Sequence, residues 1–474
     1  MNLKFFNRKQ YILFSIFGII SVVLSLLFFK ELGIKDAGMF FLATWLLLIE
    51  IYLIKFDIKL SILLFIISFP IMATARKICY FDFLFFKVTY ETIFITILFS
   101  CNIKKVNSLF KEYTKDKKSK AFKFVMLLVT LVIFAYNSSI FSINVYSSIT
   151  EIFISIIIPI MFMFTVIANF EKDDIKKIAY ALIISISFSC LYGFLQIFLY
   201  HIPLNAISSN REYLTFGYHN INIFACILMM IMPYLLQAIL YEKKTKREKT
   251  FLSFALVVSM IALFLTYTRG AWLAFLLVIF LILLSKKYRK FIYGLGIIFI
   301  VIAKPLISFI LSRGTSTSIL TDESAIARVQ SIFTSIRIMM DYPFGTGAAT
   351  YADMYKRYLD AGYMLMPEGL RSSIHVATYA LENAHNLWLQ IGVEFGIICL
   401  VVYLLIFINR VHATLKNYSI NRASFISLTM FLVFTILTGF EFNHKGVITN
   451  NLILWLVFAM IEISNNNYIY KNNA

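Results

Sequence analysis

Charge is what this chain of 474 residues has least of. Asp, Glu, Lys and Arg make up 15% of it, where a soluble domain carries roughly a quarter. The five cysteines, Cys79, Cys101, Cys190, Cys226 and Cys399, form neither a CxxC pair nor a Cys/His spacing, which leaves no disulfide framework and no zinc site to expect. P-loop, GxSxG and HExxH patterns are all missing, so a nucleotide-driven step and those hydrolase classes are not expected either. The first apolar run follows Lys4, Arg8 and Lys9 as a signal peptide would. No small-residue cleavage site comes after it, so it reads as a retained helix.

What fills the chain is apolar. Hydrophobic residues are 60%, gathered into runs such as Phe251–Leu265 and Gly270–Leu284. Runs near 20 residues match a hydrocarbon core of about 30 Å. About fourteen such spans are predicted, within a range of 11–14: 11–29, 37–54, 58–74, 88–102, 124–138, 149–168, 178–200, 220–241, 251–267, 270–285, 291–311, 386–408, 423–439 and 450–464. The expected fold is an all-α polytopic transmembrane bundle with a large extracytoplasmic loop containing short helices.

The 44 Lys and Arg outnumber 25 Asp and Glu, a formal net charge of +19. In a soluble protein that excess suggests nucleic acid; here it sits in short clusters between spans, so no nucleic-acid partner is expected. With fourteen spans and a cytoplasmic N-terminus, the clusters at Lys4–Lys9, Lys55–Lys59, Lys104–Lys123, Lys172–Lys177, Lys243–Lys249, Lys286–Lys290 and Arg410–Arg422 all fall inside. Both termini are then cytoplasmic, in a multi-pass protein of the cytoplasmic (inner) membrane. The weakest span, 88–102, is kept because dropping it would invert every later loop.

The organisation that follows is helices over 1–200, helices with an Arg211 loop and an Arg269 hairpin over 201–311, a large extracytoplasmic loop over 312–384, and C-terminal helices over 385–474. The loop is too long for an idle connector. Ile326, Val329, Phe333, Ile336 and Met340 fit an amphipathic helix ending before Pro343, its apolar stripe packed on the membrane bundle. Gly345-Thr346-Gly347 reads as a turn, and 350–360 as a second short helix.

Five of the six histidines, His201, His219, His375, His385 and His444, fall on the outer face, as do several arginines that oppose the positive-inside trend. Arg269 sits at the tip of a nearly loopless hairpin, Thr268-Arg269-Gly270-Ala271-Trp272, where Gly270 permits the reversal and Trp272 suits an interfacial belt. An arginine there grips phosphate with a planar fork of donors, or simply snorkels. His385 stands where the twelfth span starts. A helix N-terminus attracts diphosphate and disfavours imidazolium, which suits a proton acceptor; a plain capping histidine is the alternative. Arg211 precedes the eighth span and is followed by Glu212. Arg328 and Arg337 are nine residues apart on the loop helix and point to opposite faces, so one of them reads as a solvated charge. Glu394 within the twelfth span reads as a structural partner for a neighbouring helix. Asp173-Asp174 falls on the cytoplasmic side and the outer face has no DxD, so no divalent metal is expected.

Four segments together resemble the bacterial O-antigen ligase and polymerase family. They are Thr268-Arg269-Gly270-Ala271-Trp272-Leu273-Ala274; Arg328 followed by Asp341-Tyr342-Pro343-Phe344-Gly345-Thr346-Gly347; Ala384-His385-Asn386-Leu387-Trp388-Leu389-Gln390 running to Glu394-Phe395-Gly396; and, more weakly, Arg211 to Gly217 and Asn220. In the last, Tyr218-His219-Asn220 stands where the family commonly has Asn-Pro-Asn. The resemblance implies an inverting, metal-independent glycosyltransferase without cofactors. Such an enzyme moves a glycan from an undecaprenyl diphosphate carrier to a hydroxyl of a glycolipid, glycan or protein acceptor outside the cytoplasmic membrane. It casts His385 as base and Arg211, Arg269 and Arg328 as donor-binding cations, with Arg337 and His219 as further candidates. A polymerase of the same family and a lipid-linked glycan flippase are the alternatives.

Overall fold

In a bilayer, a long apolar segment can satisfy its own backbone N–H and C=O groups only as a helix. The computed structural model follows that rule, and it describes residues 8–27, 29–76, 81–83, 86–203, 206–207, 210, 213–218, 220–283, 323–376, 381–437 and 448–465. The helices are α1 (Arg8–Leu27), α2 (Phe29–Phe56), α3 (Ile58–Ala75), α4 (Tyr90–Lys115), α5 (Lys120–Ser138), α6 (Val145–Ile152), α7 (Ile158–Asn169), α8 (Ile175–Leu199), α9 (Ile221–Tyr241), α10 (Lys246–Leu265), α11 (Arg269–Leu283), α12 (Glu323–Asp341), α13 (Tyr351–Met364), α14 (Glu368–Arg371), α15 (Leu387–Lys416), α16 (Tyr418–Leu437) and α17 (Ile448–Asn465). A π-turn, Phe153–Ile157, joins α6 to α7. Between α3 and α4 the chain forms a small antiparallel hairpin, β1 (Phe81–Phe83) with β2 (Phe86–Val88), which the span pattern did not suggest.

Among the described residues, ten helical stretches are long and apolar enough to cross a membrane, and each coincides with a predicted span. The first and last predicted spans appear as the shorter apolar helices Ile12–Leu27 and Asn450–Asn465, and 270–285 falls on α11. The predicted span 291–311 lies outside the described residues. The protein is an all-α, multi-pass membrane protein. The doubtful fourth span is a 26-residue helix. It outlasts its apolar run because Val106, Leu109 and Tyr113 carry the buried face onward at helical spacing while Lys104, Lys105 and Lys111 stay exposed. Thr89 and Thr92 close its N-terminus with a capping box.

At one end of the bundle the basic clusters are tied to one another. Asp174 receives Lys59 at 2.6 Å and Lys177 at 2.7 Å. Lys105 reaches Asn169, and Lys244 reaches both Tyr180 and Glu242. Arg410, read from sequence as a topology signal, is instead a buried structural residue. Its guanidinium pairs with Glu462 of α17 and lies 3.6 Å above the centre of the Phe124 ring. An ion pair buried this way depends on good geometry and leaves a costly lone charge if halved. α17 is buried on every side from Asn450 to Ser464 and is the axis on which α7, α9, α15 and α16 pack.

The opposite end carries the loop helices α12 to α14. They have a core of their own, in which Ile326, Ile338, Tyr351, Met354 and Tyr355 pack with Ala384 and Val393. α12 forms where the sequence places it, and Ile326, Val329 and Phe333 of the predicted stripe pack into that core, but the rest of its buried face differs. Ala327, Gln330, Ser331, Thr334 and Ser335 are buried, whereas Ile336 and Met340 of the predicted inward stripe are 36% and 61% exposed. The reason is close approach: α12 lies against α13 so tightly that a Cβ on Gly362 would sit 2.2 Å from the Thr334 hydroxyl. Small side chains therefore face inward.

α15 is two helices in one. At Gly396 the backbone turns to φ 88°, ψ 168°. Before the break, Leu387–Gly396 is buried or half-buried throughout; after it, Ile397, Ile398, Val401, Leu405 and Ile408 are exposed. The segment Pro343–Gly347 docks into the break. Thr346 N donates to Val393 O at 3.0 Å, Gly347 N to Glu394 O at 2.9 Å, and Ile397 N to Pro343 O at 2.9 Å. A Cβ on Gly396 would lie 2.5 Å from the Phe344 carbonyl carbon and 2.7 Å from Pro343 O. Gly396→Ala is therefore expected to destabilise the folded protein by about 2 kcal/mol or more, combining left-handed strain with this clash. Gly369→Ala, whose Cβ meets nothing within 4 Å, should leave stability unchanged. Thermal unfolding in detergent reads both; equal midpoints for Gly396→Ala and the unmodified chain would contradict the docked break.

Candidate functional site

The turn Asn383-Ala384-His385-Asn386 enters the buried half of α15. Asn386 caps that helix, its side-chain oxygen accepting from Trp388 N at 3.0 Å and Leu389 N at 3.2 Å. His385 is left-handed, φ 49°, and its N–H donates to the Asn383 side chain at 3.0 Å. A non-glycine residue holds that conformation only where its surroundings over-determine it. Here they do. Ala384 N donates to Gln390 Oε1 at 2.7 Å, and Ala384 O accepts from Ser331 Oγ at 3.0 Å. Gln390 is held in turn by Glu394, whose Oε1 accepts from Gln390 Nε2 at 2.9 Å and from Tyr351 N at 3.3 Å. Glu394 is 1% exposed. Its partners include its own helix and the first residue of α13, so the carboxylate links the His385 turn to the docked loop.

Ser331 shares its hydroxyl proton between Ala384 O and Arg328 O, the latter at 2.8 Å. The turn of α12 that bears Arg328 therefore lies against the turn that bears His385. Arg328 is half-buried. Arg337 turns elsewhere: it is 40% exposed on its side chain and pairs with Asp341 at 3.2 Å. Nearby, burial pushes the Tyr351 phenol above its ordinary pKa although it shares a hydrogen bond with the Ser335 hydroxyl at 3.0 Å, so it stays neutral beside the loop.

Arg269 begins α11. The reversal before it departs from the sequence expectation, because the left-handed residue is Tyr267 (φ 49°) and Gly270 is helical. α10 ends on its own carbonyls, Thr266 N to Ala262 O and Tyr267 N to Phe264 O, and the next helix restarts on Thr268 O. Trp272 is likewise no belt residue. It is 7% exposed and donates its indole N–H to Leu263 O at 3.0 Å, packing α11 on α10. Thr268 Oγ1 donates to Asn222 Oδ1 at 3.2 Å, which sets Arg269 beside the first turn of α9. The segment leading into α9 is held by Gln196, which accepts from Thr215 N and Phe216 N, and by the Phe216 ring stacked on Phe224 at 4.2 Å. Arg211 and His219 lie outside the described residues. The described contacts therefore place Arg328 with His385, and Arg269 with the entry to α9.

Residues 254–404 match the family model for O-antigen ligase. Over this segment the chain is similar to the O-antigen ligase family, which supports the resemblance read from its motifs. The matched stretch starts in α10 and ends beyond the break in α15, so it holds Arg269, Arg328, Arg337 and His385, while Arg211 and His219 precede it. No curated protein matches the chain.

Sequence reasoning missed Ser331 and Gln390, whose polar groups hold the histidine turn, and it assigned Glu394 only an unspecified partner. The available signal was helical spacing: Gln390 and Glu394 are four apart, one turn, so their side chains can meet. Removing the carboxylate leaves two buried donors unpaired, at about 1–3 kcal/mol. Glu394→Ala is therefore expected to raise amide exchange at Ala384 and Tyr351 by about tenfold or more, with Glu394→Gln, which keeps an acceptor, much closer to the unmodified chain. Hydrogen-exchange mass spectrometry in detergent measures this; unchanged protection at both amides in Glu394→Ala would remove the link.

Proposed function

We propose that this chain is a member of the O-antigen ligase family and transfers a glycan from an undecaprenyl diphosphate carrier to an acceptor hydroxyl, with inversion. The observation that carries the reading is the clamped His385 turn at the N-terminus of a buried helix, packed against the turn of Arg328 inside the matched segment. His385 accepts the acceptor's hydroxyl proton as its oxygen bonds to the anomeric carbon. The bond from that carbon to the diphosphate oxygen breaks on the opposite face, and the leaving diphosphate keeps the electron pair. Arg269 and Arg328, joined by Arg211, stabilise that developing charge. Arg337, neutralised by Asp341, contributes little. The lysine-rich end faces the cytoplasm of the inner membrane by the positive-inside rule, both termini with it, and the site faces outward.

Acceptor choice separates ligase from polymerase: the first takes a glycolipid or protein, the second another lipid-linked glycan. Proteoliposomes supplied with lipid-linked oligosaccharide, with and without a separate acceptor, test the whole reading. His385→Ala is expected to slow transfer by about 100-fold or more, and Arg269→Ala and Arg328→Ala each by about 10- to 100-fold, while Arg337→Ala stays near the unmodified rate. Unimpaired transfer by folded His385→Ala contradicts the proposal, and chain growth without added acceptor assigns the enzyme as a polymerase.

A further inference from the structure

The outward stripe of α12 needs an environment. Ile332, Ile336 and Met340 recur every fourth residue and are 41%, 36% and 61% exposed, and Phe344 follows at 49%. α12 is not among the candidate spans, and between its terminal Glu323 and Asp341 it holds no acidic residue. Scattered exposed apolar residues are ordinary, but a contiguous stripe marks a contact surface.

The stripe runs directly into the lipid-facing surface of the bundle. Phe344 stacks on Phe141, itself 51% exposed, with ring centres 6.1 Å apart. Pro343 is bonded to Ile397, the residue at which the exposed face of α15 begins. Depth follows from helix length. From Lys123, at the basic end of α5, to Phe141 is eighteen residues, about 27 Å at about 1.5 Å each. The hydrocarbon core is about 30 Å thick. Phe141 and the Phe344 stacked on it therefore stand at the far boundary between acyl chains and headgroups.

We infer that α12 is an interfacial helix, with Ile332, Ile336, Met340 and Phe344 bedded in the acyl–headgroup boundary of the leaflet at the loop end of the bundle. The partner is the bilayer lipid itself. The inference rests on the membrane spans and not on the glycosyl-transfer reading. An apolar helix face lying in that boundary is a known way of holding a segment at headgroup depth, and it sets the Arg328 turn of the same helix at that level.

Spin labels test it. Cys79 and Cys101 are replaced by alanine; Cys190, Cys226 and Cys399 are buried and stay. Nitroxide is attached singly at Ile336→Cys, Met340→Cys, Val401→Cys on the lipid-facing side of α15, and Asp353→Cys on the exposed side of α13. The proteins are placed in vesicles of phosphatidylethanolamine and phosphatidylglycerol. Labels at 336 and 340 should collide with oxygen in preference to a water-soluble nickel chelate, as at 401, with a ratio several-fold above that at 353. A ratio like that at 353, low collision with both reagents, or dipolar coupling between two copies each overturns the inference, in favour of water, of an intramolecular cover or of a dimer. The unsubstituted chain gives a second readout: lipid bearing a diazirine in its acyl chain should label the peptide 332–344, and absence of adducts there while α15 is labelled counts against the assignment.

Discussion

The architecture depends on three main-chain hydrogen bonds that close the broken helix α15. A helix interrupted inside an apolar bundle leaves peptide groups that cost several kilocalories each unless something pairs them. Pro343, Thr346 and Gly347 supply the partners, bonding Ile397, Val393 and Glu394. The glycines serve this contact, because Gly345 and Gly396 each lie so close to the other strand of chain that a Cβ would fall within about 3 Å of backbone. Once the break is closed, the first half of α15 turns inward and becomes a buried platform. His385 stands at its mouth and Glu394 at its base.

From that platform two networks run outward. One passes from Glu394 through Gln390 to Ala384, and from Ala384 through Ser331 to Arg328. The other passes from the docked loop into the bundle, where Ala348 N donates to Ser148 Oγ of α6 at 2.8 Å. The far end of the molecule is locked independently by Asp174 with its two lysines and by Arg410 with Glu462. The bundle is thus tied by polar contacts at both ends. The described residues proposed to carry the chemistry, Arg269, Arg328 and His385, belong to the loop end.

Run length made the spans readable in the sequence, since the bilayer imposes a length and leaves no alternative to a helix. Even the doubtful span at 88–102 falls on a helix long and apolar enough to cross a membrane, and only its amphipathic continuation to Lys115 escaped. The short motifs supplied the candidate residues, each with a bland alternative beside it, and the structure sets the Arg328 turn against the His385 turn. Three things did not show. Gly396 hides in an apolar run, so a break that needs a partner loop looked like an uninterrupted span. The inward face of α12 mixes small and polar residues such as Ala327 and Ser331 with Ile326, Val329 and Phe333, so only Ile336 and Met340 of the apolar stripe were assigned to the wrong side. Tyr267 takes the left-handed turn that Gly270 seemed to provide, because the helix end itself holds it.

The central claim is that the two arginines and the histidine converge on one diphosphate-linked donor at the loop end of the bundle. A cryo-EM map of the protein in lipid nanodiscs with undecaprenyl diphosphate bound tests it most directly. The account predicts diphosphate density within hydrogen-bonding reach of the Arg269 and Arg328 guanidinium groups, with the His385 ring facing it. Diphosphate seated at the lysine-rich end, or away from both arginines, would contradict it.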